Sequence, residues 1–189
     1  MSSRRFQNPN ISGTAKEAGK LSPTELLILA LISHGYAPTL YALQKETLLS
    51  AGALFPALAK LKTKGLLQAE ELGPRKRQQF RVPPGALRKI EEKWKSSAED
   101  YIADCDAVLK LCKAAEVFDL PEAVEYAHSA AELRASELRK YTNQRGRIEA
   151  PKLDPFSYRS YRDVARFYQF QAEEQTLRTL EAALRTDML

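Results

Sequence analysis

Leu26 to Ile32 form an almost unbroken apolar run, and the residues before it set where a helix begins. Ser22-Pro23-Thr24-Glu25 has the spacing of a capping box with proline at the first helical position. A helix over about 23–33 is predicted, buried on most sides and ending at His34 and Gly35. Thr39 can cap a second, short helix reaching about Thr47, with Leu40 and Leu43 facing inward. Ser50 can cap a third, in which Leu54, Ala57, Leu58 and Leu61 recur at helical spacing and Gly65 ends the run. Leu66 to Glu71 and Gln78 to Val82 then read as two strands, with Gly73-Pro74 in the turn between them.

Helical periodicity resumes near Pro84. Ile90, Trp94, Ala98, Tyr101, Cys105, Val108, Cys112 and Ala115 alternate spacings of three and four, which predicts one long helix packed lengthwise on another. Asp119 with Glu122 is expected to open the next helix, with Leu120, Val124, Ala127, Ala131, Leu138 and Tyr141 on its inner face and Gly146 closing it. Beyond Pro151 and Pro155, a last helix of about 157–187 presents Tyr161, Val164, Phe167 or Tyr168, Leu177, Leu180 and Leu184. The class is mainly α, with a basic arm at 1–20, a compact helical unit with a hairpin at 21–83 and a helical region at 84–189.

Composition sharpens this picture. The 189 residues are 44% hydrophobic, enough for a real core, and no apolar run approaches the roughly 18 residues of a membrane span. Two cysteines seven apart, Cys105 and Cys112, lie roughly 10 Å apart if they share a straight helix, too far for a disulfide within it. They read as small apolar core residues or as a redox pair across a dimer, and they favour a cytoplasmic setting. The net charge of +5 conceals an asymmetry: residues 1–95 hold 16 Lys and Arg against 7 Asp and Glu, and 96–189 hold 13 against 17. The basic half suits a polyanion.

Helix, helix, helix, hairpin is the order of a winged helix-turn-helix, in which the third helix enters the DNA major groove and the hairpin touches the flanking backbone. Ala51 to Lys64 would be the reading helix, and Arg75, Lys76 and Arg77 the tip of the wing, where cations reach phosphates. The stretches "LSPTELLILALIS" at 21–33, "SAGALFPALAKLKTKGLL" at 50–67 and "RKRQQFRV" at 75–82 resemble the PadR family of bacterial transcriptional regulators. The later "LPEAVEYAHSAAELRASELRKY" and aromatic-rich last helix are similar to the C-terminal domain of that family. This resemblance implies a homodimer on double-stranded DNA, two reading helices on a palindromic site, and repression relieved by a small aromatic effector. It departs from the family at Ala53 and Phe55, where a hydroxyl residue and a tyrosine are common.

The DNA-contacting candidates are therefore Ser50, Ala53, Phe55, Lys60, Lys62, Arg75, Lys76 and Arg77. Ser50 is a cap first; Phe55 meets sugar or a thymine methyl, or packs on helix two. The expected dimer seam comprises Trp94, Tyr101, Cys105, Val108, Cys112, Tyr168, Leu177, Leu180 and Leu184. By resemblance Trp94 and Tyr101 could instead line an effector pocket. His34 and His128 have no companions at metal-ligand spacing, and neither a phosphate loop nor a nucleophile motif is present, so no catalytic residue, metal or cofactor is expected. The rival class is an interaction module whose alanine-rich helix contacts a protein rather than DNA.

Overall fold

The computed structural model describes residues 20–72, 77–155 and 157–187. Among them are seven α-helices, one short 3-10 turn and a two-stranded antiparallel sheet. The arm at 1–19 and the turn residues Gly73 to Lys76 lie outside the described residues, so Arg75 and Lys76 are not placed. Among the described residues no helix is long and apolar enough to cross a membrane.

The first three helices start where their caps put them. In α1 (Pro23–Ser33) Ser22 accepts from the N–H of Glu25, and the Glu25 carboxylate accepts from the N–H of Ser22, a complete capping box. Thr39 caps α2 (Leu40–Thr47) and Ser50 caps α3 (Ala51–Thr63), each hydroxyl accepting from the N–H three residues on, without the return bond. Gly65, at φ +68°, closes the last of them. The strands are β1 (Gln68–Leu72) and β2 (Arg77–Arg81), with Gln68 opposite Arg81 and Leu72 opposite Arg77. Leu66 and Leu67, read from sequence as strand, are a buried lead-in. The Phe80 N–H donates to Pro38 O at 2.7 Å, which ties β2 to the segment between α1 and α2.

Past the hairpin the expected single long helix is a correction. Following the turn at Pro84–Ala86, α4 (Leu87–Tyr101) stops, and Asp104 caps a separate α5 (Cys105–Val117) by accepting from Ala107 N at 3.1 Å. The two helices fold back on each other: Trp94 Nε1 donates to Leu111 O at 2.8 Å, whereas 17 residues of straight helix would separate them by about 25 Å. The apolar repeat is shared by two helices that bury it between them and against α1.

Two further boundaries move. Asp119 does not cap α6 (Glu122–Arg139); it sits at φ +55° in the turn before it, and Pro121 precedes the helix without a side-chain cap. Gly146, expected to close α6, lies beyond its end at φ +73° in a loop bracketed by a Thr142–Ile148 bridge. The last helix, α7 (Tyr158–Asp187), has the expected span.

Helices α6 and α7 form an antiparallel hairpin, since later residues of α6 meet earlier ones of α7. His128 bonds Glu181 and Arg178 reaches Glu132, then Arg134 pairs with Glu173, and Tyr141 packs edge-on against Phe167. Helix α1 lies between the N-terminal elements and α5, with Leu26 to Ile32 all buried. One hydrophobic cluster runs from α1 and α3 through Phe80, Ile90 and Trp94 to Val108, Ala127 and Leu177. The cut expected near residue 83 therefore passes through a continuous core.

Candidate nucleic-acid interface

Helix α3 has two unlike faces. Leu54, Ala57, Leu58 and Leu61 are buried, and Gly52, Ala53, Phe55, Pro56, Ala59, Lys60, Lys62 and Thr63 are exposed. The buried stripe makes the helix part of the core, and this fixes the outward direction of the other face. Phe55 is 57% exposed, so helix two does not cover it. Pro56 stands inside the helix without an N–H to give, so the Gly52 carbonyl one turn earlier lacks its usual helical donor. Ser50 is exposed and occupied as the cap, its Oγ 3.3 Å from Ala53 N.

The three lysines at the end of α3 have different surroundings. Lys60 is exposed at the surface. The Lys62 ammonium lies 5.3 Å from the centroid of the Phe80 ring, joining α3 to β2. Lys64 turns inward, donating to Glu25 Oε2 at 3.1 Å and to Lys20 O at 3.0 Å. On the hairpin, Arg81 faces Glu70 at 3.8 Å, and Arg77 begins β2 opposite Leu72. The remaining cations of the predicted wing tip, Arg75 and Lys76, are the ones outside the described residues.

Other large apolar side chains of the N-terminal part are exposed as well. Tyr36 and Tyr41 are 64% and 77% exposed, and Leu48 is 90% exposed at φ 57°, a left-handed conformation that leucine rarely adopts. Tyr41 lies in the first turn of α2, and Leu48 is the residue just past its end.

The other predicted site residues lie elsewhere. Trp94 is 2% exposed and packs edge-on against Tyr126 with ring centroids 5.7 Å apart, so it is a core residue of the single chain. A surface cleft of about 590 Å3 lies where α3 ends and α4 begins, lined by Lys64, Gly65, Leu66, Pro83, Gly85, Ala86 and Lys93, and neither Trp94 nor Tyr101 borders it. Of the residues assigned to a dimer seam, Val108, Cys112, Leu177 and Leu184 are also buried within one chain, Tyr101, Cys105 and Leu180 are half-buried, and Tyr168 is exposed. For the buried ones the periodicity marked helix packing within one chain. Burial pushes the Cys112 thiol up to about 12, and burial with the nearby Glu173 carboxylate raises Cys105, so both are held toward the thiol form.

Sequence reading missed a polar network between α6 and α7. Arg134, only 6% exposed, pairs with Glu173, donates to Ala103 O and lies 5.9 Å from the Phe170 ring. Arg178 bonds Glu132, Glu174 and Glu181, and Glu181 also receives His128 and Arg185. Comparison of the chain with protein-family models, with curated proteins and with solved structures found no match in any of the three.

Proposed function

We propose that the chain is a DNA-binding regulator of the PadR type, with α1–α3 and the β1–β2 hairpin acting as a winged helix-turn-helix. The observation that carries this reading is the uncovered face of α3, from Gly52 to Lys62, standing beside a hairpin that Lys62 and Phe80 hold to the same helix. Small residues at Gly52, Ala53 and Ala59 let the helix backbone come close to a groove floor. Ala53 and Phe55 offer apolar contact to thymine methyls, and the Gly52 carbonyl offers an acceptor to a base amino group. Lys60 and the cations Arg75, Lys76 and Arg77 supply phosphate contacts, which give affinity without sequence information.

Two copies would present two reading helices to a site one helical turn apart. Because α1 shares its core with α5, the reading helix is carried as one body with the C-terminal helices, and an effector would act on the spacing between copies. The test is titration of duplex DNA at two salt concentrations. Affinity should fall with a slope near −0.9 per phosphate contact, and replacing Lys60, Arg75, Lys76 and Arg77 by Gln should weaken all sequences alike.

The exposed apolar side chains Tyr36, Tyr41, Leu48 and Phe55 favour a second reading, a surface for a protein partner. Binding to duplex DNA that is absent or insensitive to salt would select it.

A further inference from the structure

The acidic half of the chain contains one basic region. Residues 140–168 hold seven Lys and Arg against three Asp and Glu, while the rest of 96–189 holds six against fourteen. These residues are the cap of α6, the connecting loop and the first third of α7, so the fold gathers them at one end of the α6–α7 hairpin.

That end is well fixed. Asn143 Oδ1 accepts from the N–H groups of Arg145 and Arg147 at 2.9 and 3.0 Å, and the Thr142–Ile148 bridge closes the loop. The Ser160 hydroxyl donates to Lys152 O at 3.0 Å and accepts from Asp154 N at 2.7 Å, which ties the rest of the loop to the first turn of α7. Tyr141 against Phe167, at 5.3 Å between centroids, joins the two helices just behind it.

Cations elsewhere along this hairpin are paired. Arg134 and Arg178 meet Glu173 and Glu132 across it. At the loop end, Lys140 pairs with Glu137 and Arg159 lies 3.9 Å from Asp163, but Arg145, Arg147, Lys152, Arg162 and Arg166 are exposed with no ion pair among the described residues. Arg159 and Arg162 also stand near the N-terminus of a 30-residue helix whose first turn has no acidic residue, where the helix dipole disfavours positive charge. Among these cations lie tyrosine rings open to solvent: Tyr158 is 82% exposed, Tyr161 48% and Tyr168 57%.

Guanidinium groups with fork geometry, interleaved with uncovered aromatic faces on a fixed support, match the two needs of an unpaired polynucleotide strand. A duplex keeps its base faces stacked inside and has no use for the rings; an acidic peptide uses the charge alone. We propose that the loop end of the α6–α7 hairpin binds single-stranded nucleic acid. Phosphates lie along Arg145, Arg147, Lys152, Arg162 and Arg166, and bases stack on Tyr158 and Tyr161. This surface is separate from α3 and does not depend on the reading given to α3.

The test uses the full chain, a labelled oligothymidylate of about 15 nucleotides and a duplex of the same length, read by fluorescence anisotropy. Arg145→Gln, Arg147→Gln, Arg162→Gln and Arg166→Gln together should weaken the single strand at least tenfold and flatten its salt slope by about 0.7 per lost contact. Tyr158→Ala with Tyr161→Ala should weaken it roughly tenfold with the slope unchanged. All of these positions are exposed, and unchanged circular dichroism verifies folding. A Lys60, Arg75, Lys76 and Arg77 variant should retain the single strand, whether or not it loses the duplex. Failure of the chain to bind oligothymidylate in dilute salt, or indifference to both sets of substitutions, overturns the proposal. So does silence of the tyrosine pair while polyglutamate displaces the strand, which would mark a surface for acidic proteins.

Discussion

The ammonium of Lys62 stands over the ring of Phe80, 5.3 Å from its centroid, and couples the last turn of α3 to the second strand of the hairpin. Phe80 is 5% exposed and also bonds Pro38 through its N–H, so this ring is where helix, strand and the α1–α2 connection converge. Lys62→Gln should cost about 0.5–1 kcal/mol of stability in urea titration, the size of an exposed cation–π contact. Phe80→Ala removes core packing and should cost about 3–5 kcal/mol.

Neighbouring lysines should behave differently. Lys64 reaches the buried Glu25 carboxylate, which already serves the α1 capping box. Lys64→Ala leaves that carboxylate short of its charged partner and should lower stability by about 1.5–3 kcal/mol. Lys60→Ala, at an exposed position, should change it by less than about 0.5 kcal/mol. Equal effects in denaturant titration would show that the inward turn of Lys64 is wrong.

Pro56 interrupts the hydrogen bonding of α3 on its exposed face. Alanine there restores an N–H to the Gly52 carbonyl and removes the ring, so Pro56→Ala should raise stability, by up to about 3 kcal/mol. If that open carbonyl serves binding, the same substitution weakens binding to the duplex as it raises the melting temperature. A stabilised variant with undiminished affinity would remove the carbonyl from the interface.

Acid should loosen the α6–α7 hairpin. Burial pushes the Glu181 carboxyl up, but its bonds from His128 and Arg178 outweigh that and hold it below its ordinary value of 4.5. Hydrogen bonding by Arg178 likewise lowers Glu132. A carboxylate with a lowered folded pKa contributes stability that is whole above its unfolded value and is lost as pH falls through the folded one. Melting temperature should therefore hold from neutrality to about pH 5 and decline below that. Arg178→Gln removes a bond from both carboxylates, so it should lower the melting temperature at neutrality and make the decline below about pH 5 shallower, which melting curves at a series of pH values followed by circular dichroism resolve.

How far the sequence could be read depended on the range of the interactions involved. The caps at Ser22, Thr39 and Ser50 bond backbone groups three residues away, and all three begin helices at the positions read from them. The buried stripe of α3 was equally legible, and with it the direction of the face carrying Ala53, Phe55 and Lys60. Trp94 was not legible. Its apolar spacing to Tyr101, Cys105 and Cys112 is the same whether the chain runs straight or turns at Asp104, because each arrangement buries one face of every helix. Tyr41 was missed for a related reason, since an apolar residue on a short helix reads as inward until its neighbours are placed.

By itself, the order of residues determined the starts of α1, α2 and α3, the hairpin after Gly65 and the inner faces of α1 and α3, all set by contacts within a turn or two. Tertiary structure alone decided that α4 and α5 fold back on each other, that one core joins both parts of the chain, and which cations between α6 and α7 find carboxylates. Those outcomes rest on contacts between segments remote in sequence, and local periodicity is the same for each way such segments can meet.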